Sequence, residues 1–243
     1  PRDGRKLSFT PELSIKNQEK IGADIILAFD ECIYADAKHE YTKEATDRTH
    51  RWLERCIKAK KRKDQALYGI VQGGMYKDLR EGSAQFVAQQ DVDGIAIGGV
   101  SVGETKKQMR DQVRWVIPNL PDHLPRHLLG VGRVEDVLDL VKEGIETFDC
   151  VEATRIARNG IVYQKRGKKF DRIDLTKTKY ESMKDPIQKG CTCYTCQNFS
   201  LSFLHHLFKE RELLGYYLAT QHNLVFFADL FFQIREDIRK DRI

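Results

Sequence analysis

Residues 67–104 read LYGIVQGGMYKDLREGSAQFVAQQDVDGIAIGGVSVGE, and this stretch decides the fold. An apolar run over 67–72 is followed by a helix-like segment over 76–90 and a second apolar run over 93–99. This order is typical of a β/α/β unit. Its helix crosses over the sheet, so the two strands lie parallel, and such crossovers are almost always right-handed. Both runs are continuously apolar, which predicts strands that are buried on both faces.

The same alternation extends in both directions from this unit. Further apolar runs are DIILAFDEC at 24–32, HLLGVG at 127–132 and IETFDCV at 145–151. Apolar periodicity and stop signals predict helices beside them, over 12–22, 42–60, 105–117 and 134–143. Strands that alternate with helices in this way predict an α/β fold of the parallel β/α-barrel type.

Polar residues or glycines stand where the apolar runs end, at Asp30, Gln72, Gly98, Gly99 and Asp149. The carboxyl ends of parallel strands meet at one edge of the sheet, so these groups are expected to converge. An acid beside an apolar strand is costly unless a cleft exposes it or a hydrogen bond satisfies it. Capping a helix is the alternative role for each aspartate. Because glycine lets a flat ligand approach the backbone, the set predicts a pocket for a polar planar heterocycle.

A metal-like cluster follows the last of these runs. The motif CTCYTC occupies 191–196, and a histidine follows after 25 further residues. Three thiolates and one imidazole make a closed tetrahedral shell, which suits structural Zn²⁺. Buried free cysteines are the alternative, and His205 and His206 are rival ligands. We prefer the later histidine because it ties the loop to the last helix, so the predicted ligands are Cys191, Cys193, Cys196 and His222.

The alternation of strands and helices stops near Asn159. GIVYQKRGKKFDRIDLT, at 160–176, predicts a hairpin with a basic turn. Amphipathic helices are predicted over 198–214 and 216–240, with inward positions at Leu201, Leu204, Leu207, Leu213, Leu218, Val225, Leu230 and Ile234.

The expected domains are therefore a partial β/α barrel over 1–158 and a second region over 159–243. The barrel carries the residues at the strand ends. The second region contains the hairpin, the zinc site and the C-terminal helices, and we expect it to pack on the barrel.

Composition narrows the classes of protein further. The chain has 243 residues, of which 41% are hydrophobic and 32% charged, with a formal net charge of +5. No apolar run approaches the roughly 18 residues that span a bilayer, and no secretory signal pattern is visible. Tightly spaced cysteines of this kind favour a reducing compartment. We expect a cytoplasmic protein without a membrane partner, whose basic character is compatible with nucleic acid.

Basic residues that follow Asp149 form a candidate phosphate-binding patch. They are Arg155, Arg158, Lys165, Arg166, Lys168 and Lys169. A second basic run, KAKKRK at 58–63, is interpreted mainly as a solvated helix end.

Six motifs together resemble one family over about residues 4–240. They are AFDEC, VQGG, GGVSVGE, LLGVG, FDCVEATRIARNG and CTCYTC with HNL. They look like the bacterial form of queuine tRNA-ribosyltransferase, also called tRNA-guanine transglycosylase. The resemblance implies an enzyme that exchanges guanine at the tRNA wobble position for 7-aminomethyl-7-deazaguanine in queuosine biosynthesis. It also implies a TIM-type (β/α)8 barrel, of which this chain holds about the last five β/α units, and we expect a homodimer.

The resemblance implies roles for individual residues. Asp149 corresponds to the nucleophile that attacks C1′ of the ribose and forms a covalent ester. Asp30 matches the aspartate that binds the purine-like base, and Glu104 the carboxylate near its aminomethyl group. Base-binding positions or their loop are matched by Gln72, Gly99, Val100 and Ser101. Arginines that grip the anticodon loop are matched by Arg155 and Arg158, and the zinc ligands by Cys191, Cys193, Cys196 and His222.

Two departures from the family pattern matter. Ala153 stands where the family usually has Pro. The family's second catalytic aspartate, in an Asp-Ser-Gly-Gly-like motif ahead of the matched segment, has no counterpart here. We therefore expect the 243 residues alone to be inactive or nearly so. The alternatives to the enzyme are a non-catalytic or truncated tRNA-binding subunit and a hydrolase of another N-glycoside.

Overall fold

The computed structural model describes residues 3–167 and 169–242. It divides into two compact units. The first runs to Val131 and resumes over Asp139–Asp149, and the second comprises Gly132–Leu138 and the chain from Cys150 onward. These units are defined by how densely their residues pack together. They do not test the expected domain boundary between 158 and 159, which stays a prediction.

A parallel sheet organises the first unit. Its strands lie in the order β1–β2–β3–β4–β5, and each neighbouring pair is parallel. The strands are β1 (Ile25–Leu27), β2 (Ala66–Val71), β3 (Gly94–Ile97), β4 (Arg126–Leu128) and β5 (Thr147–Phe148). The accompanying helices are α1 (Pro11–Ile21), α2 (His39–Ala59), α3 (Lys77–Ala88), α4 (Lys106–Val116) and α5 (Val134–Lys142), whose last turn belongs to this unit. The predicted α/β fold with five parallel strands is confirmed.

Local sequence sets several helix ends. Thr10 caps α1 by accepting a hydrogen bond from Leu13 N at 3.3 Å, and Gly22 ends that helix with φ +79°. Thr105 begins α4 with a reciprocal capping box. A 3₁₀ turn over Ile117–Asn119 follows α4 and contains Pro118, so the α-helix stops where the sequence predicted.

The core of the first unit lies between the sheet and its helices. Strand β3 is buried throughout, as is β2 apart from its first residue. Helices α2, α3 and α4 turn apolar side chains towards these strands, including Leu53, Val87 and Val113. Burial on both faces explains why these two strands read as continuous apolar runs.

Strand β1 is shorter than its apolar run. Ala28 N still donates to Tyr68 O of β2 at 3.0 Å. After that, Phe29 N donates to Cys56 Sγ at 3.3 Å and Glu31 N to Thr49 Oγ1 at 3.0 Å. Side chains of α2 therefore take over the backbone donors, so Asp30 lies beyond the ladder rather than within it.

The second unit contains a hairpin and helices. Strands β6 (Ile161–Arg166) and β7 (Lys169–Asp174) are antiparallel, which confirms the predicted hairpin. Lys168, in its basic turn, lies outside the described residues. The helices are α6 (Glu152–Arg158), α7 (Tyr194–Asn198), α8 (Leu201–Lys209) and α9 (Leu213–Arg239), with a 3₁₀ turn at Thr178–Tyr180.

The predicted helix over 198–214 is wrong in its bounds. Ser200 caps a new helix, α8, by accepting from Phe203 N at 3.2 Å, and the chain turns at Arg211 with φ +57°. Leu213 consequently begins α9 and is 79% exposed, so its predicted inward position is also wrong. Val225 is partly buried, and the remaining predicted positions are buried, namely Leu201, Leu204, Leu207, Leu218, Leu230 and Ile234.

Among the described residues, no helix combines the length and the apolar character that crossing a bilayer requires.

Candidate functional site

The predicted strand-end residues of the first unit lie at the carboxyl edge of the parallel sheet. Gln72 directly follows β2, Gly98 directly follows β3 and Asp149 directly follows β5. Asp30 lies three residues beyond Leu27, the last residue of β1. Parallel pairing places all these strand ends on the same edge.

Asp30 and Gln72 form a hydrogen-bonded pair. Gln72 Nε2 donates to Asp30 Oδ2 at 2.7 Å, and Gln72 N donates to Ser83 Oγ at 3.2 Å. Burial raises the pKa of Asp30 above its ordinary value, and the hydrogen bond from Gln72 opposes this shift. Gln72 is fully buried, and its Oε1 has no hydrogen-bond partner among the described residues. A carboxylate and an amide oxygen therefore stand together with acceptor capacity for a ligand's N–H groups.

The glycines after β3 make room for Gln72. A Cβ at Gly98 would lie 2.7 Å from Gln72 Nε2 and 2.8 Å from Ile70 Cγ2. A Cβ at Gly99 would overlap Gln72 Oε1, and Gly99 has φ +62°. The sequence suggested that these glycines admit a ligand to the backbone. In the structure, the absence of side chains at these glycines leaves the space that the Gln72 amide occupies beside Asp30.

A buried arginine lies beneath these loops, and sequence reasoning missed it. Arg80 Nε donates to Gly74 O at 2.8 Å, Nη1 to Gly98 O at 2.6 Å and Nη2 to Gly99 O at 2.7 Å. Nη2 also donates to Gln112 Oε1 of α4 at 2.6 Å. Arg80 is fully buried, which lowers its pKa to about 10, so it stays charged at neutral pH. Its position on the apolar face of α3 was the available sequence signal.

The loop after Gly99 is held by hydrogen bonds from its backbone to the carboxylate of Glu104. Val100 is buried, and Ser101 is exposed with φ +60°. Glu104 accepts hydrogen bonds from Ser101 N and from Val102 N, the latter at 2.9 Å. Glu104 therefore stabilises the loop 100–104 in this structure.

Asp149 presents one bound and one free oxygen. Its Oδ1 accepts from Gly130 N at 3.2 Å and lies 3.2 Å from His127 Nε2. His127 Nδ1 lies 2.9 Å from Thr147 Oγ1. Oδ2 has no hydrogen-bond partner within the described part of the chain, and the side chain is 61% exposed. The sequence did not single out His127, although β4 places it opposite Thr147 in register.

Arg155 and Arg158 lie in α6 of the second unit. Both are exposed, and they occupy its last turn, where cations favour the helix dipole. Neither forms an ion pair with a residue that the structure describes. Their charges are therefore available to an anion.

The four predicted metal ligands come together in the second unit. The ligand atoms of Cys191, Cys193, Cys196 and His222 all lie within 4.8 Å of one another. Nδ1 of His222 is 3.9, 3.5 and 3.4 Å from the three sulfurs in sequence order. His222 Nε2 lies 2.8 Å from Tyr163 O, a contact that fixes the tautomer and leaves Nδ1 for a metal.

The donor set fits a metal ion. Burial raises the pKa of the Cys196 thiol, and the neighbouring Cys191 and Cys193 raise it further. A cation among the sulfurs would reverse this effect, because thiolates bind metals in the deprotonated form. His205 lies outside the cluster, with its Nδ1 2.7 Å from Leu175 O, and His206 is exposed and also lies outside it.

Comparison with known proteins connects this arrangement to one family. A sequence model described as queuine tRNA-ribosyltransferase matches residues 1–243. The chain is 53% identical over 240 residues to the queuine tRNA-ribosyltransferase of Herpetosiphon aurantiacus, covering 99% of this chain and 60% of that protein. It is 46% identical over 243 residues to that of Synechococcus elongatus, covering 100% and 62%.

An archaeal relative extends the similarity. The chain is 43% identical over 244 residues to a putative queuine tRNA-ribosyltransferase of Archaeoglobus fulgidus, covering 98% of this chain and 60% of that protein. The chain thus spans 60–62% of the length of these three relatives.

Proposed function

We propose a function from the premise that this chain belongs to the queuine tRNA-ribosyltransferase family. The protein exchanges guanine at the tRNA wobble position for 7-aminomethyl-7-deazaguanine, as a step of queuosine biosynthesis. One observation carries this proposal. Asp30 is paired with Gln72, whose Oε1 finds no partner among the described residues, at the sheet edge where Asp149 exposes a carboxylate oxygen.

We propose that the base binds beside Asp30. The Asp30 carboxylate and Gln72 Oε1 accept hydrogen bonds from the N–H groups of the base. Gly99 contributes backbone to the pocket. Val100 and Ser101 lie on the same loop, and Glu104 is the carboxylate for an aminomethyl substituent. Each Glu104 oxygen accepts one bond from the loop backbone, at Ser101 N or Val102 N, and keeps a lone pair that can accept a bond from the ligand.

We propose that Asp149 is the nucleophile. Its free Oδ2 attacks C1′ of the ribose, the bond from C1′ to guanine breaks, and a ribosyl ester forms. Guanine leaves with the electron pair of that bond and takes up one proton at the freed nitrogen, which balances the proton that the incoming base loses from its own attacking nitrogen. The incoming base then attacks C1′, and the Asp149 carboxylate leaves with the ester's electron pair. His127 and Gly130 hold Oδ1, which orients Oδ2 for attack.

The remaining groups bind and support the substrate. Arg155 and Arg158 bind phosphates of the anticodon loop through their exposed guanidinium groups. Zn²⁺ is the metal of the four-residue cluster, because three thiolates and one imidazole suit a structural zinc site. Zn²⁺ has a structural role there, since its four ligands leave no position for substrate.

We also propose a cytoplasmic homodimer. Tyr194, Phe199 and Phe203 contact one another around α7 and α8, with ring centroids 5.6 and 5.2 Å apart along the series. Tyr194 is 52% exposed and Phe203 37% exposed. An aromatic cluster at the surface suits burial against a second copy. The reducing cytoplasm suits the closely spaced thiols.

Trapping of the covalent intermediate tests the function. The full-length polypeptide is incubated with tRNA and quenched under denaturing conditions. We expect a tRNA-linked protein band that Asp149→Ala abolishes. Asp24→Ala is the matched control, because Asp24 is an exposed aspartate at the amino end of β1. A parent protein that binds tRNA yet gives no adduct and no guanine exchange would instead indicate a non-catalytic tRNA-binding subunit.

A further inference from the structure

Two helices of the first unit contribute a chain of hydrogen bonds that ends at Gln72. Ser83 lies on α3 and His50 on α2. Ser83 Oγ accepts a hydrogen bond from Gln72 N at 3.2 Å, and His50 Nε2 lies 2.9 Å from the same oxygen. Gln72 Nε2 continues the chain by donating to Asp30 Oδ2 at 2.7 Å. Three side chains behind the carboxylate of Asp30 are therefore connected in series.

The central members of this chain are shielded from water. Gln72 is fully buried, and Ser83 is 1% exposed. His50 is half-buried, and its ring stacks on Phe86 of α3 with centroids 4.1 Å apart and planes 17° apart. The stack fixes the plane of the imidazole, which keeps Nε2 directed at Ser83 Oγ.

The hydroxyl group of Ser83 can satisfy both of its neighbours at once. Its oxygen accepts from Gln72 N, and its own proton can be donated to Nε2 of a neutral imidazole. Burial lowers the pKa of His50, which favours the neutral form that accepts this proton. The backbone N–H, the hydroxyl group and the ring nitrogen all have partners in this arrangement.

The hydroxyl group does not serve its own helix. A serine inside a helix often bonds the carbonyl group four residues earlier. Among the described residues, the partners of Ser83 Oγ are Gln72 N and His50 Nε2, and both lie outside α3. Ser83 therefore connects two helices to the end of β2.

The amide of Gln72 depends on its backbone for its position. Its side chain forms one hydrogen bond with a described residue, the bond to Asp30, and its Oε1 has no partner there. The space is tight, because a Cβ at Gly98 would lie 2.7 Å from Nε2. Gln72 also lies just beyond β2, whose last residue is Val71. The bond to Ser83 therefore fixes the segment from which the amide extends.

We propose that Ser83 and His50 are positioning residues for the binding of the base. Ser83 holds the backbone of Gln72 so that its amide stands beside Asp30, and His50 orients the Ser83 hydroxyl group. Both act through Gln72 rather than by contact with the base. The proposal rests on the proposed function, in which Asp30 and Gln72 bind the base, and it adds the residues that set the affinity of that pocket.

Ser83→Ala in the full-length protein tests the bond to Gln72. It removes the hydroxyl group and adds no atom, so the helix can keep its packing. We expect guanine binding to weaken by about threefold to tenfold, the range that the net free energy of one hydrogen bond gives. The KM for guanine should rise, whereas kcat and the dissociation constant for tRNA should stay unchanged.

A double-mutant cycle separates positioning from stability. In a Gln72→Ala background, Ser83→Ala should no longer weaken guanine binding, because the amide that it positions is gone. It should still lower Tm there. His50→Phe keeps a ring against Phe86 and removes Nε2, and it should weaken guanine binding by about twofold to threefold.

Two variants are matched controls. Ser200 also accepts a backbone N–H at 3.2 Å, from Phe203, but it does so in the second unit. Ser200→Ala should lower Tm and leave guanine binding unchanged. His123→Phe replaces an exposed histidine and should change neither quantity.

Each contrary result overturns a defined statement. If Ser83→Ala lowers Tm and leaves guanine binding unchanged, Ser83 serves only the fold and the proposal is wrong. The proposal is also wrong if Ser83→Ala weakens guanine binding equally with and without the Gln72 side chain. Unchanged guanine binding in His50→Phe would overturn the role of His50. If the parent protein does not bind guanine, or if Gln72→Ala binds it as tightly, the proposed function fails instead.

Discussion

Asp30, the residue proposed to bind the base, opposes the stability of its own fold when it is ionised. Burial raises the pKa of this carboxyl group. The folded protein therefore binds the proton more tightly than the unfolded chain does. Protonated Asp30 stabilises the fold at low pH, and this contribution is lost as pH rises through the folded pKa. At neutral pH, ionisation of buried Asp30 lowers the free energy of unfolding. Hydrogen bonds from the N–H groups of a ligand can offset this loss.

Asp30→Asn should separate stability from binding. Asparagine still accepts the hydrogen bond from Gln72 Nε2 but carries no charge, so the free energy of unfolding at pH 7 should rise. Guanine binding should weaken by about 1.5–3 kcal/mol, because a charge-assisted bond becomes neutral. Urea denaturation and calorimetry measure the two effects.

The gain in stability should shrink towards about pH 4, where aspartates approach protonation. Asp24→Asn, an exposed control, should show neither effect. Lower stability of Asp30→Asn at pH 7 would contradict the account, as would unchanged guanine binding.

Asn223 shows how one residue connects helix α9 to its unit. It accepts from Tyr163 N at 3.0 Å and donates to Ala153 O at 3.0 Å and to Ile161 O at 3.1 Å. The side chain is fully buried, and the adjacent His222 belongs to the metal cluster. Helix α9 therefore satisfies backbone groups of β6 and α6 and also supplies a metal ligand.

Asn223→Leu should destabilise the second unit by roughly 2–4 kcal/mol, because it leaves buried backbone groups without partners. Leu224→Ala is the adjacent control, since Leu224 is 50% exposed, and it should change stability by less than about 0.5 kcal/mol. Denaturant unfolding followed by hydrogen exchange would localise the loss. Similar effects of the two variants would argue against this role for Asn223.

Removal of the metal should unfold the helices around the cluster. Binding of a structural metal is coupled to folding, so the purified protein should contain one Zn²⁺ per chain, and a strong chelator should reduce its helical circular dichroism. His222→Ala should lose the metal, whereas His206→Ala, at an exposed histidine, should retain it. Elemental analysis is the measurement. If protein that was never exposed to a chelator lacks stoichiometric zinc, the assignment of Zn²⁺ to the cluster is wrong.

The parallel sheet of the first unit has five strands among the described residues. Strands β1 and β5 end the sheet, and each pairs with a single strand among the described residues. The chain spans 60–62% of three curated relatives. The resemblance of the sequence motifs implies that the family carries a second catalytic aspartate and further barrel strands ahead of the matched segment.

The 243 residues expressed alone should therefore exchange labelled guanine into tRNA about 10²–10⁴-fold more slowly than a full-length relative. Adding the amino-terminal segment of such a relative, in cis or as a separate chain, should restore the rate. Exchange by the 243 residues alone at a normal enzyme rate would mean that another residue here acts as the acid and base.

The sequence by itself determined the features that depend on neighbours along the chain. Thr10, Gly22 and Pro118 set helix ends through local backbone geometry, so these bounds could be predicted. Strand β2 could be recognised because burial on both faces leaves a continuous apolar run. The common edge of Gln72 and Asp149 follows from parallel topology alone.

Only the tertiary structure decided which distant groups meet. Gln72 reaches Asp30 across 42 positions of sequence, and His222 reaches Tyr163 across 59. His222 lies among the three cysteines, whereas His205 lies outside the cluster, with its Nδ1 2.7 Å from Leu175 O. The partners of Arg80 also depend on the tertiary structure. They lie on two loops and on α4, which only folding brings together. Side-chain hydrogen bonds between distant residues leave no periodic pattern in sequence, because each depends on a position and an orientation that the packed fold creates.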